Sequence, residues 1–259
     1  MLWAELPSRP RQLELNLAFP AELSRVRAVL LDIEGTTTPV DFVYKTLFPF
    51  ASRRVEEFLR AHFREAEVKS LTADLQKEHG AEHWNSQTPA AEIASAAKYV
   101  RRLMQEDRKL TPLKTLQGKI WEEGYRSGQL RGEVYEDVPS AFDRWKRDGK
   151  RIAIFSSGSV LAQKLLFGNS TRGDLTRFVE AYFDTTTGPK RDAASYLKIA
   201  EAMKLPAREF LFVSDVSAEL DAAGEAGMLT ALSLRPGVAA PAGEKHPPIA
   251  SFDELFPAR

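Results

Sequence analysis

The apolar and polar positions of this chain follow two rhythms. Residues 28–33 form a short apolar run in which Val29, Leu30 and Leu31 are consecutive, closed by Asp32-Ile33-Glu34-Gly35. An unbroken apolar run of this length predicts a strand buried on both faces, and Gly35 ends it. Over residues 42–135 the rhythm becomes helical, rich in Ala, Glu, Arg, Lys, Leu and Gln, with Phe58, Leu59 and Phe63, and again Ile93, Ala97, Val100 and Met104, at helical spacing. Pro49, Pro89 and Pro112 mark helix boundaries, residues 79–88 read as a loop between helices, and residues 118–132, bracketed by glycines, read as the end of the zone.

Beyond residue 136 strand and helix patterns alternate. The amphipathic stretch 140–147 precedes a strand at 151–155. A helix at 160–167, a strand at 181–184 and a helix at 190–204 follow, the last with Ala194, Leu197, Ile199 and Ala200 on its apolar side. Then come a strand at 210–213, a helix at 217–226 and a strand at 229–234. Strands separated by helices predict a parallel sheet covered on both faces. The fold class is therefore α/β: a Rossmann-like parallel sheet core with helices on both faces and an inserted helical cap. Residues 1–41 and 136–259 form the core domain and residues 42–135 the cap. Residues 1–27, with Pro7, Pro10 and Pro20, read as an extension on the domain surface. Pro236, Pro241, Pro247 and Pro248 predict an irregular tail up to a short helix near Phe252.

Composition narrows the chemistry. Of 259 residues none is cysteine, which excludes disulfides, thiolate catalysis and zinc–thiolate sites. Lys plus Arg and Asp plus Glu number 36 each, a balance that gives no electrostatic case for nucleic acid or a membrane surface as partner. No run is apolar enough to span a bilayer and none has signal-peptide character. A cytoplasmic enzyme with a small-molecule partner is expected, and a monomer is the oligomeric state the reading leans to.

In an open parallel sheet, ligands bind beyond the carboxyl ends of the strands. The polar residues just past each apolar run are Asp32 and Glu34; Ser156, Ser157, Gly158 and Ser159; Asp184 through Lys190; and Ser214 and Asp215. Asp32 and Glu34 point the same way if the strand stays extended, which suits a nucleophile beside a general acid; solvated acids at a strand end are the plainer alternative. The serine cluster opens a helix and suits an anion, although capping by Ser157 or Ser159 is the preferred reading of the cluster taken alone. Lys190 at a helix start is electrostatically disfavoured unless an anion is near. Asp215 with Glu219 four residues on suits a magnesium site, or a helix cap with an acid in its first turn. His62, His79, His83 and His246 lie outside this set. They support neither a zinc hydrolase nor a serine triad, and no glycine-rich phosphate loop leads into Lys-Ser or Lys-Thr.

Together these strand ends resemble the motifs of the haloacid dehalogenase superfamily: Asp32-Ile33-Glu34-Gly35-Thr36, the Ser156 cluster, Lys190, and Asp215 with Glu219. The commonest form of the first motif has aspartate at its second acid position, where this chain has Glu34. Within the superfamily, residues 31–40, 47–51, 155–159, 163–168, 183–185 and 214–216 resemble the enolase-phosphatases of methionine salvage. The resemblance covers residues 26–236.

It implies a magnesium-dependent phosphomonoester hydrolase that enolises 2,3-diketo-5-methylthiopentyl-1-phosphate and then removes its phosphate, leaving an acireductone. It implies Asp32 as nucleophile and Glu34 as general acid and base. Ser156, Ser157 and Lys190 are implied on the phosphate, and Mg2+ on Asp32, Asp215 and the backbone carbonyl of Glu34. Phe42, Tyr44 and Phe48 are candidates for the methylthio end, core packing being the preferred reading. The rivals are a capped phosphatase for another small phosphoester and a phosphate-binding module without turnover.

Overall fold

The structure is a computed structural model that describes residues 22–79, 84–106, 108 and 110–256. Most of the expected N-terminal extension, and His83, lie outside the described residues.

Six strands build one sheet: β1 (Ala28–Leu31), β2 (Arg151–Phe155), β3 (Val179–Phe183), β4 (Phe210–Ser214), β5 (Leu229–Ser233) and β6 (Pro248–Ile249). Their order is β3-β2-β1-β4-β5-β6 and every pairing is parallel. The order reverses direction at β1, between β2 and β4, and the crevice beyond such a switch point is where this class of sheet binds ligands. All four residues of β1 are fully buried. Val29 and Leu31 join the core on one face of the sheet, Ala28 and Leu30 the core on the other. Each buried leucine contributes roughly 1.5–3 kcal/mol, so the strand that delivers Asp32 is held from both sides.

Between β1 and β2 runs the helical block. A π-helical stretch, Phe42–Leu47, leads into α1 (Phe48–His62), followed by α2 (Ala66–His79), α3 (Pro89–Gln105) and α4 (Thr111–Arg126). Thr88 caps α3, its hydroxyl accepting from Ala91 N at 3.2 Å, and Pro89 takes the first turn, where no amide hydrogen is needed. α1 packs on α3 and α4, and α4 also reaches the core, resting on α6 (Val160–Gly168). The remaining core helices are α5 (Asp137–Arg147), α7 (Ala193–Ala202) and α8 (Ser217–Glu225). Among the described residues no helix is long and apolar enough to cross a membrane.

Several expectations are refined or corrected. The helical zone does end within residues 118–132, at Arg126, although α4 runs on through Gly118 and Gly124 to reach it. At Gly124 the missing side chain is a packing requirement: a Cβ there would stand 2.6 Å from Phe50 and 2.8 Å from Leu130. The helix expected at 190–204 starts only at Ala193, because the Asp192 side chain caps it by accepting from Ala194 N at 2.9 Å. Leu197 is exposed on that helix, and the buried face is Tyr196, Ile199 and Ala200. β3 begins at Val179 rather than at 181. In the tail, Pro248 and Ile249 pair with β5, a strand the prolines concealed.

Candidate active site

The chain bends as it leaves β1. Ile33 O accepts from the backbone N–H of Thr36, Thr37 and Thr38, and Gly35 N donates to Thr38 O at 2.9 Å. Gly35 takes φ +68°, a left-handed conformation that glycine adopts without strain, and a Cβ on it would stand 2.2 Å from Asp215 Oδ2. This close approach lets Asp215 enter beside the bend. Asp32 and Glu34 therefore line one cavity without lying on a continued strand, Asp32 only 3% exposed and Glu34 half-buried.

One local and one long-range contact hold the turn. Thr37 Oγ1 donates to Asp32 O at 3.1 Å. Arg235, beyond β5, donates from Nε to Thr36 O at 2.9 Å and from Nη1 to Asp137 Oδ2 at 2.6 Å. Its guanidinium lies 4.2 Å from the Tyr135 ring centroid and 4.5 Å from that of Phe252.

Lys190 sits at the centre of the charges. Its Nζ is 2.6 Å from Asp32 Oδ1 and 2.5 Å from Glu219 Oε2. The Asp32 contact is an ion pair without hydrogen-bond geometry, and that buried oxygen has no hydrogen bond. Ser214 Oγ stands 3.3 Å from Asp32 Oδ2 and 3.0 Å from Glu219 Oε2, with one proton to serve both. Lys190 lies in a turn before α7, so the expected clash with a helix N-terminus does not arise. The turn is built for it: Gly188 leaves no room for a Cβ beside Ser195 Oγ, and Tyr196 donates its hydroxyl to Lys190 O at 2.7 Å.

Electrostatics follow from this burial. Desolvation alone would lower the Lys190 pKa, but Asp32 and Glu219 outweigh it and the ammonium is held above its ordinary value. The Asp215 carboxyl is pushed up to about 7, first by burial and then by Asp32. Glu219 is also raised, by burial and then by Asp32, with Lys190 opposing.

Three acids, buried Asp32 and half-buried Asp215 and Glu219, thus gather around one lysine that pairs with Asp32 and Glu219. A divalent cation beside Asp32 and Asp215 fits that excess of negative charge. Magnesium takes one or two protein carboxylates and keeps several waters, so a full cage of side chains is not required. Among the described residues no group of three His, Asp or Glu side chains forms such a cage. Glu219 is spent on Lys190 and Ser214, which separates it from the metal role its spacing suggested. Asp215 does not cap α8 either: Val216 holds that position and no side chain caps it.

Ser156 is buried and Ser157 half-buried, both on the cavity. Ser159 is the cap of α6, its hydroxyl accepting from Ala162 N at 3.3 Å. The loop is braced by Gln163, whose amide donates to Gly158 O and Phe183 O, each at 2.8 Å. Asp184 braces it from β3 by accepting from Val160 N at 3.2 Å. All of Asp32, Glu34, Ser156, Ser157, Lys190 and Asp215 face one cavity of about 350 Å3. Its roof comes from the cap. Tyr44 and Phe48 line it while Phe42 is core, so the preferred core reading holds for only one of the three.

Ser214 stood among the strand-end residues, but its bonds to two acids were not legible there. Arg235 and the α4 roof residues Lys114, Gln117 and Trp121 carry no local motif and were missed.

A family model described as haloacid dehalogenase-like hydrolase matches residues 26–227. The chain is 52% identical over 233 residues to Enolase-phosphatase E1 of Synechococcus elongatus, covering 89% of this chain and 98% of that one. It is 45% identical over 235 residues to Enolase-phosphatase E1 of Drosophila sechellia, covering 89% and 90%. Among solved structures, the UTR4 protein of Saccharomyces cerevisiae superposes with a TM-score of 0.74 at 36% identity, covering 89% of this chain and 100% of that one.

Proposed function

Because the chain belongs to the haloacid dehalogenase-like hydrolases, and within them to the enolase-phosphatases, we propose that it converts 2,3-diketo-5-methylthiopentyl-1-phosphate to 1,2-dihydroxy-3-keto-5-methylthiopentene and phosphate. Enolisation comes first and dephosphorylation second, a step of methionine salvage. The observation that carries the phosphatase half is the buried Asp32 carboxylate, ion-paired to Lys190 at the switch point of a parallel sheet and opening on the cavity that Ser156 and Ser157 line.

In this reading Asp32 attacks phosphorus and forms an aspartyl-phosphate, which divides one difficult displacement into two. Glu34 protonates the leaving oxygen and then takes a proton from the attacking water. Ser156 and Ser157 donate to phosphoryl oxygens, and Lys190 offsets negative charge beside the nucleophile. Asp32, Asp215 and the Glu34 carbonyl would hold Mg2+. When bound, it screens the phosphate's charge from the incoming carboxylate. Residues 42–135, as a cap, exclude water from the cavity and supply its apolar side. The reading makes a small phosphoester the partner and the cytoplasm the setting.

The test is anaerobic turnover of the diketone phosphate with and without magnesium, following inorganic phosphate and the ultraviolet band of the enediol together. Both signals should depend on magnesium, and Asp32→Asn should lower phosphate release at least about 10³-fold. Phosphate released only from other esters would remove the methionine-salvage substrate and leave a phosphatase. No release from any ester would leave a binding module.

A further inference from the structure

The phosphatase machinery accounts for the floor of the cavity and leaves the roof unexplained. Lys114, Gln117 and Trp121 lie three and four residues apart on α4, so they share one helix face, and all three line the cavity. Trp121 is engaged by the cap itself: its Nε1 donates to Leu47 O at 2.9 Å and its ring stacks on Phe48. Lys114 reaches across to the core, where its Nζ donates to Ser157 O at 3.1 Å and to Thr185 Oγ1 at 3.3 Å. Its charge therefore sits beside the loop assigned above to the phosphate. Gln117 is only 6% exposed, and among the described residues its amide has no hydrogen-bond partner. Its amide opens on the cavity, where a polar group of a bound molecule can take the place of water. Apart from Arg108 the remaining roof is apolar, with Leu47, Met104 and Leu113.

We propose that Lys114 and Gln117 form the carbonyl-oxygen site of the enolisation step, an inference that rests on the enolase-phosphatase reading. The substrate of that reading carries two adjacent carbonyls, and the first is separated from phosphorus only by the bridging oxygen and C1. With phosphate at Ser156 and Ser157, the first carbonyl oxygen falls beside Lys114. The second carbonyl falls towards Gln117, one turn further along α4. The apolar methylthioethyl end then meets the apolar part of the roof.

The step balances as follows in electrons and protons. The C1–H bond breaks and its proton goes to the Glu34 carboxylate. The bonding pair becomes the C1=C2 double bond. The π pair of the C2 carbonyl moves onto its oxygen, which takes a proton from the Lys114 ammonium, and water returns a proton to the lysine. Gln117 N–H, donating to the C3 oxygen, withdraws charge from the conjugated system as it forms. Glu34 finishes the step protonated, the form in which it serves as acid to the leaving oxygen.

The experiment separates the two halves of the reaction. A diketone phosphonate, with CH2 replacing the bridging oxygen, can be enolised but not dephosphorylated. Its enolisation is followed by deuterium uptake at C1 and by the ultraviolet band of the enol. Phenyl phosphate, which has no carbonyl, reports the phosphatase half. For Lys114→Met and Gln117→Met we expect the ratio of enolisation rate to phenyl phosphate hydrolysis to fall about 10²-fold, as for loss of one oxyanion donor. Lys114→Arg, which keeps a cationic donor, should recover part of the loss, and thermal melting confirms that each variant is folded. A ratio within about threefold of wild type in both methionine variants, whether both rates fall together or neither does, overturns the assignment. A wild type that hydrolyses phenyl phosphate but neither enolises the phosphonate nor turns over the diketone phosphate overturns the enolase reading itself, and this site with it.

Discussion

The floor and the roof of the cavity are built by different means. On the floor, Asp32, Lys190, Glu219 and Ser214 hold one another within 2.5–3.3 Å, almost without solvent, and Asp215 presses against Gly35. On the roof, one helix presents apolar side chains, a lysine that reaches the opposite wall and an amide with no hydrogen-bond partner among the described residues. A reaction common to many phosphoesters needs a fixed charge pattern, which mutual locking supplies. Recognition of one carbon skeleton needs groups left open for it. In the proposed reading, phosphoryl chemistry belongs to the sheet edge and substrate identity to the cap.

The largest effect should come from unlocking the floor. Lys190→Met leaves Asp32 and Glu219 without their shared cation, and we expect phosphate release to fall at least about 10³-fold. Removing one partner of a buried ion pair costs about 3–5 kcal/mol, so melting should show a loss that added magnesium partly restores. Equal activity in variant and wild type would mean that the lysine only fills space.

Gly35→Ala tests position rather than charge. It alters no polar group, but its Cβ would strike Asp215 Oδ2 and its backbone would be held at φ +68°. A displacement of about 1 Å at a reacting group costs on the order of 10²-fold, so kcat should fall by about that factor for every ester alike. A loss confined to the diketone substrate would move the effect to the roof and blur the division drawn above.

The smallest effect concerns the cap's own fastening. His62, at the end of α1, lies 2.5 Å from Glu65 and 2.6 Å from Glu123 of α4. The Glu65 hydrogen bond is the leading cause that holds its pKa above the ordinary value, against desolvation. Because the folded value is raised, the stabilisation is complete below the unfolded value of about 6.5 and is lost as pH rises through the folded value. The melting temperature of wild type should exceed that of His62→Gln by about 2 °C at pH 6. The gap should close by pH 9, with phenyl phosphate turnover following the same trend weakly. A gap that stays constant with pH would mean the histidine acts by packing on Phe58 alone.

What the sequence disclosed follows the same division. β2 was legible because Ile152 to Phe155 is an uninterrupted buried run, and β4 and β5 were placed to within one residue. Asp32, Ser156 and Asp215 could be found because a parallel sheet places its strand ends together whatever lies between them. Lys190 was found too, although its setting was misjudged: Asp192 and not Lys190 opens the helix. The partners of those groups were hidden, since Ser214 to Asp32 is a contact across 182 residues. Gln117 was hidden for the opposite reason. Among the described residues no hydrogen bond reaches its amide, and the shape of the cavity shows that it faces inward.

Arg235 sets a condition on when the first turn can be completed. Thr36 O, beside the nucleophile, is clasped by a side chain 199 residues later, and Ser233 closes on Gly35 O in the same way. On a ribosome making about 5–20 residues per second, roughly 10–40 s separate the two ends of that clasp. A nascent chain that has released Asp215 therefore holds every proposed phosphatase residue and still lacks the lock on its first turn. The turn that carries the proposed nucleophile is thus closed from the far end of the sequence, after synthesis of the core is nearly done.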